Sequence, residues 1–173
     1  MTGCFRNTFM QIISVLLTAF FLSIGGTTTV QQLPSIPMKT LSGEDVDLQS
    51  YAKNGKITVV SFWATWCSPC KRELDAITKV YPEWKEKYNM ELIAVTIDGA
   101  RALSRVGPMV DAKGWKFEVL ADSQQASQAA LGFQTIPQTI VVDTGGEIVY
   151  SHNGYKDGDE LALEKVIAGL NVE

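Results

Sequence analysis

The run Trp63-Ala64-Thr65-Trp66-Cys67-Ser68-Pro69-Cys70-Lys71 places two thiols in a Cys-x-x-Cys spacing. An ionised cysteine attacks a disulfide, and a second thiol within reach can close a small ring with the first. The run follows the apolar, β-branched stretch Ile57-Thr58-Val59-Val60 and precedes a pattern of helical period. Cys67 therefore falls where a helix begins, and there unpaired N–H groups and the helix dipole favour its thiolate. The chemistry implied is electron exchange with the disulfides of other proteins. The bland alternative is an inert disulfide or two unrelated buried thiols.

The elements that must hold these thiols can be read on either side. Residues 56–64 predict a strand apolar enough to lie at the centre of a sheet. Residues 69–88 turn helical, with Cys70, Leu74, Ile77, Tyr81, Trp84 and Tyr88 on one face and Lys71, Arg72, Asp75, Lys79 and Glu86 on the other. Pro82 is expected to kink or divide that helix. A second buried strand is expected over 91–98, then a helix over 100–113, loosened by Gly107-Pro108 and ended at Gly114. A short strand over 117–120 and a helix over 123–131 follow, closed by Gly132. After Pro137 come a strand over 138–143, a Gly145-Gly146 hairpin and a strand over 147–151. The last helix, 159–170, has Asp159 or Asp157 as its cap. Upstream, Pro34 and Pro37 keep residues 30–37 extended, and short strands are expected around the Gly43 turn. This order implies one α/β domain with helices on both faces of a mixed sheet.

Composition narrows the remaining choices. With 46% hydrophobic and 20% charged residues, the chain is that of a folded globular protein. No basic block or aromatic-interleaved basic patch occurs, which argues against nucleic acid as a partner. Three cysteines and one histidine are too few for a disulfide scaffold or a four-cysteine zinc site, and no metal or cofactor is expected. Residues 1–26 read as a signal peptide or an N-terminal membrane anchor. Arg6 supplies the positive start, Ile12 opens an uncharged apolar stretch ending at Ile24, and Ser23-x-Gly25 offers small residues for cleavage. Cys4 precedes the apolar stretch and so is not placed as a lipoprotein cysteine. Residues 27–36 read as a linker and 37–173 as the folded domain.

The run Phe62-Trp63-Ala64-Thr65-Trp66-Cys67-Ser68-Pro69-Cys70-Lys71-Arg72-Glu73, with Ile136-Pro137-Gln138-Thr139, resembles the thioredoxin superfamily. Within it, the chain is similar to the TlpA/ResA-like extracytoplasmic thiol-disulfide oxidoreductases over residues 36–170. The resemblance implies a thioredoxin-like fold with an N-terminal strand extension and a central helix-strand insert between Ala100 and Leu120. It implies an exposed nucleophilic sulfur at Cys67, a shielded resolving thiol at Cys70 and a cis bond at Pro137. The backbone of Ile136 would then face the thiols and pair with a substrate strand. Glu73 lies on the apolar stripe of the helix, where a carboxyl is costly unless paired, solvated or protonated. Related proteins carry an active-site glutamate at this offset, which makes Glu73 a candidate for tuning the thiols and relaying a proton. The bland reading of Glu73 is a first-turn residue that merely favours the helix dipole.

Two departures from the family pattern stand out. Ser61 replaces the buried aspartate of plain thioredoxins, and Asp75 stands where proline is frequent. Trp63 and Trp66 are expected to pack around the motif as core and rim, with Trp66 kept as a substrate contact. His152, alone near a strand end, is given no role. The function implied is exchange with protein disulfides or dithiols, in the reductase direction, in the bacterial periplasm or at the extracytoplasmic membrane face, with a membrane electron donor. An oxidant or isomerase, or a binding module with incidental cysteines, remains the alternative.

Overall fold

A computed structural model describes residues 31–171. The segment 1–26, expected to be a signal peptide or anchor, lies outside the described residues. The chain forms β1 (Pro37–Thr40), β2 (Asp45–Asp47), α1 (Leu48–Tyr51), β3 (Ile57–Trp63), α2 (Ser68–Tyr88), β4 (Met90–Thr96), a 3-10 turn (Leu103–Arg105) and α3 (Val106–Lys113). It continues through β5 (Glu118–Ala121), α4 (Ala126–Leu131), β6 (Gln138–Val142), β7 (Ile148–Asn153) and α5 (Asp159–Leu170). All seven residues of β3 are buried, as suits a strand covered on both faces. The sheet runs β2-β1-β5-β4-β3-β6-β7, with β3, β4 and β5 parallel and the others antiparallel to their neighbours. This is a thioredoxin-like fold: a mixed sheet flanked by helices.

Alternation along the strands separates two cores. On one face, Ile57, Val59 and Trp63 meet Cys70, Leu74, Ile77 and Trp84 of α2, Val106 and Val110 of α3, and Leu163 and Ile167 of α5. On the other, Val60, Phe62 and Ile140 meet Leu33, Ile36, Leu48 and Phe133. The buried side of α2 comprises Cys70, Glu73, Leu74, Ile77, Tyr81, Trp84 and Tyr88, so its period was legible residue by residue.

Several details differ from the sequence expectations. Pro82 does not divide α2, which runs unbroken for 21 residues because its buried face continues past the proline. The helix expected from residue 100 starts as α3 only at Val106, so that Pro108 sits in the first turn, where its missing N–H costs nothing. The helix expected from residue 123 begins at Ala126, because the Asp122 carboxylate accepts the N–H groups of Ala126 and Ser127. The cap of α5 is Gly158, at φ 101°, and not an aspartate, while Asp159 is the first helical residue. The short α1, capped by the Asp47 carboxylate, was not foreseen.

Residues 31–36 are extended but lie on the domain. Leu33 and Ile36 are each 1% exposed, and the Leu33 N–H donates to the Gly146 carbonyl at 2.9 Å. Gly146 itself turns the β6–β7 hairpin at φ +87°, a conformation side-chain-bearing residues avoid. Leu33 therefore reports whether this segment is tether or core. Leu33→Ala should cost about 2–5 kcal/mol in urea unfolding, and a loss near zero would return the segment to a linker.

Candidate active site

After Trp63 the chain leaves the sheet and α2 starts at Ser68. Cys67 is the cap of that helix, in extended conformation, and its Sγ accepts the Cys70 N–H at 3.3 Å. Caps are ordinarily Ser, Thr, Asp or Asn, whose oxygen takes this bond. Here the group that satisfies the helix is the sulfur expected from the sequence to act as nucleophile. Pro69 sits in the first turn. Cys67 and Cys70 form a disulfide with their Cα atoms 5.4 Å apart. Cys67 is 4% exposed and Cys70 0%, so only the first sulfur is open to a partner. That opening is smaller than the resemblance implied.

The segment before Cys67 is fixed by Asp98, itself 1% exposed. Its carboxylate accepts the Thr65 N–H at 2.8 Å, the Thr65 hydroxyl at 2.9 Å and the Thr96 hydroxyl at 2.7 Å. Lys71 Nζ donates to the Thr65 carbonyl at 2.9 Å from the helix side. In the sequence, Asp98 carries no signal beyond a Thr-x-Asp polar ending on an otherwise apolar strand.

Facing the thiols is the loop before β6. The Ile136–Pro137 peptide bond is cis, and the Ile136 carbonyl oxygen lies 3.9 Å from Cys67 Sγ. The loop is held from β7, where Asn153 Nδ2 donates to the Thr135 carbonyl at 2.8 Å and the Pro137 carbonyl at 3.3 Å. Trp66 projects outward at 68% exposure beside Cys67. Trp63 is fully buried and meets Trp115 edge-on, with ring centroids 5.0 Å apart. Trp115 Nε1 donates to Asp75 at 3.0 Å, and Lys113 Nζ to the same carboxylate at 2.6 Å. The departure at Asp75 thus ties α2 to the end of α3.

Glu73 is 4% exposed. Ser61 Oγ donates to its Oε2 at 2.9 Å and Thr139 Oγ1 to its Oε1 at 2.7 Å. Burial pushes the Glu73 carboxyl above the usual carboxylate range, while the Thr139 and Ser61 hydroxyls and nearby His152 pull it back and Asp159 adds to the rise. The site therefore joins Cys67, Cys70, Glu73 and the Ile136–Pro137 loop around α2. It also draws in Ser61, Thr139 and His152, which the sequence did not single out as a group.

A thiol pair delivered to a helix start by a central strand, with a cis-proline loop against it, defines a thiol-disulfide oxidoreductase of thioredoxin fold. The chain belongs to the AhpC/TSA family, whose model matches residues 29–151. It is 31% identical over 154 residues to the thiol-disulfide oxidoreductase ResA of Halalkalibacterium halodurans, covering 86% of this chain and 85% of that protein. It is 34% identical over 132 residues to the thioredoxin-like protein YneN of Bacillus subtilis, covering 76% of this chain and 75% of that one. A thioredoxin-like protein from Porphyromonas gingivalis superimposes with a TM-score of 0.73 at 40% identity, over 83% of this chain and 94% of that one. A thiol:disulfide interchange protein DsbE from Chlorobium tepidum gives 0.72 at 20% identity, over 82% and 96%, a likeness of fold alone.

Two outcomes follow from this geometry. With Cys67 as the attacking thiol and Cys70 as the resolving one, Cys70→Ala should accumulate mixed disulfides through Cys67 on non-reducing gels, while Cys67→Ala should trap none. Trapping by both variants alike would take the nucleophile's role from Cys67. The second outcome concerns Glu73. Its raised folded pKa means the folded state keeps a proton that the unfolded chain has released. Its contribution to stability is complete below the ordinary glutamate value of about 4.3 and is lost as pH rises from there through the folded value. Unfolding curves measured across that window should fall for the wild type relative to Glu73→Gln; parallel curves would mean that this carboxyl titrates as in the unfolded chain.

Proposed function

We propose that this protein is a reductase of partner-protein disulfides working in the cell envelope. In the reduced enzyme the Cys67 thiolate attacks one sulfur of a partner disulfide, forming a mixed disulfide and releasing one partner thiolate. Cys70 loses its proton and attacks Cys67 Sγ, which closes the enzyme disulfide and frees the second partner thiolate. Two electrons pass to the partner, and its two sulfurs end as thiols after taking up protons. Glu73, one helical turn beyond Cys70, receives the Cys70 proton. Trp66 and the Ile136 backbone beside Pro137 bind the partner strand on either side of the attacked bond.

The observation that carries the reductase direction is the sparse support around Cys67 Sγ. Among the described residues its one hydrogen-bond donor is the Cys70 N–H, and Lys71 and Arg72 turn instead to the Thr65 carbonyl and Asp157. An oxidant needs a heavily stabilised thiolate, because that is what makes its reduced form favourable. A buried carboxyl on the same helix face works against such stabilisation.

The envelope location is supported by the uncharged apolar stretch behind Arg6, with residues 1–26 acting as an export signal or as the anchor itself. Among the described residues no helix is long and apolar enough to cross a membrane. In a compartment kept oxidising, the reduced enzyme must be regenerated by an electron donor in the membrane.

A redox titration against glutathione tests the direction. The expected potential lies near that of thioredoxin, about −270 mV. A value near about −120 mV, the range of strong disulfide oxidants, would reverse the assignment.

A further inference from the structure

Glu73 is enclosed by α2 and the sheet, and both of its oxygens are taken by hydroxyls. A proton received there needs a way out that does not pass back through the sulfur it came from. The sheet register supplies one. Ser61 of β3 is paired opposite Thr139 of β6, and Thr139 is paired opposite His152 of β7. Directly opposed side chains on one face lie about 4.5–5.5 Å apart at Cβ. A row of three polar residues thus crosses a face that is otherwise apolar, from beneath α2 to the outermost strand.

The row ends at a small cavity. It measures about 10 Å³, room for a single water, and is walled by Glu73, Thr139, Tyr150, His152, Asp159 and Glu160, with Ile77 and Leu163 closing it. None of the lining residues belongs to the Cys67–Cys70 motif. His152 Nε2 lies 3.5 Å from Asp159 Oδ2, with the two side chains 39% and 35% exposed, so this pair touches both the cavity and solvent. The His152 ring is stacked on Tyr150, with centroids 6.3 Å apart and planes inclined by 17°. Asp159 is further held by the Lys156 N–H at 2.7 Å, and Glu160 by the Tyr155 hydroxyl at 2.8 Å. The titratable groups facing Glu73 are therefore Tyr150 and His152 from β7, Tyr155 from the connecting loop, and Asp159 and Glu160 from α5. Of these, His152 is the imidazole, whose two ring nitrogens let it accept a proton on one side and donate one on the other.

We infer that His152, paired with Asp159, is the proton outlet of Glu73, passing protons between the buried carboxyl and solvent through the cavity beneath α5. When Cys70 closes the enzyme disulfide, its proton moves to Glu73 and leaves by this route. When a donor reopens that disulfide, a proton entering at His152 reaches Glu73 and then the departing Cys70 thiolate. His152 touches neither sulfur nor partner; it acts through Glu73. The inference rests on Glu73 being the proton acceptor of Cys70.

The test separates the two assignments. Full-length reduced protein is mixed in weak buffer with an aromatic disulfide whose leaving thiol absorbs light. The first release of that thiol reports attack by Cys67, and the second reports closure by Cys70. His152→Gln should leave the first release unchanged, slow the second severalfold around neutral pH and flatten its pH profile. Added imidazole should restore the rate, because a small diffusible base can replace a missing outlet but cannot repair a packing defect. Glu73→Gln should slow the second release without rescue by imidazole. A wild-type second release in Glu73→Gln overturns the role of Glu73 and the outlet with it. A slow Glu73→Gln beside a wild-type or unrescued His152→Gln overturns the outlet and leaves Glu73 in place.

Discussion

The N–H groups in the first turn of α2 have no carbonyl within the helix to bond. The chain satisfies one of them with sulfur, where most helices use a side-chain oxygen, and this single substitution of element gives the molecule its chemistry. A cap has to sit at a fixed distance and direction from the third helical N–H, so the position of Cys67 Sγ is set by helix geometry. The cap in turn depends on what precedes it. β3 is paired along its length on both sides, and Asp98 grips Thr65 at the point where the strand ends. The sulfur is aimed by an interior strand of the sheet, and the segment that carries it is held at Thr65 by Asp98.

A carboxyl beneath that helix creates the opposite kind of constraint. Burying an ionised carboxylate costs several kcal/mol, and a hydrogen bond to a charged group returns about 1.5–3 kcal/mol. The Ser61 and Thr139 hydroxyls therefore offset part of the cost of burying Glu73, and burial still holds its carboxyl above the usual range. A carboxyl raised by burial is sensitive to the charges placed around it. The same acid fully exposed would stay ionised, and with a buried cation beside it would be locked so. Here the central strand carries Ser61, and the acid reaches it from the helix.

Much of this could be read from the residues. The thiol pair and the side of α2 that is buried follow from spacing and period, which are local properties of the chain. Glu73 stood out because a charged residue broke an apolar stripe. Pro137 needed the family resemblance, since sequence by itself favours a trans bond. What stayed hidden depends on register. His152 means little until it is known to face Thr139, and Thr139 until it is known to face Ser61. Asp98 was similarly opaque, because its partners Thr65 and Thr96 lie on separate segments that only the parallel pairing of β3 and β4 unites. The late start of α3 and the packing of residues 31–36 were lost for a related reason: a proline in the first turn and two buried apolar side chains look the same, in sequence, as a helix breaker and a linker.

The placement of these polar groups also explains why the domain needs the residues before β1. Ser61, Glu73, Thr139 and His152 all lie on the α2 face, and each replaces an apolar side chain that could have been buried there. The opposite face carries none of the chemistry. Its core joins Val60, Phe62 and Ile140 of the sheet to Leu33, Ile36, Leu48 and Phe133, all contributed by the N-terminal stretch, α1 and the segment after α4. Full burial of one such side chain is worth about 1.5–3 kcal/mol. Leu33 and Ile36 alone therefore return an amount comparable to what one strained carboxyl takes away. A buried carboxyl beneath the helix weakens the face that carries the thiols, and the second core supplies stability from side chains on the other side of the sheet.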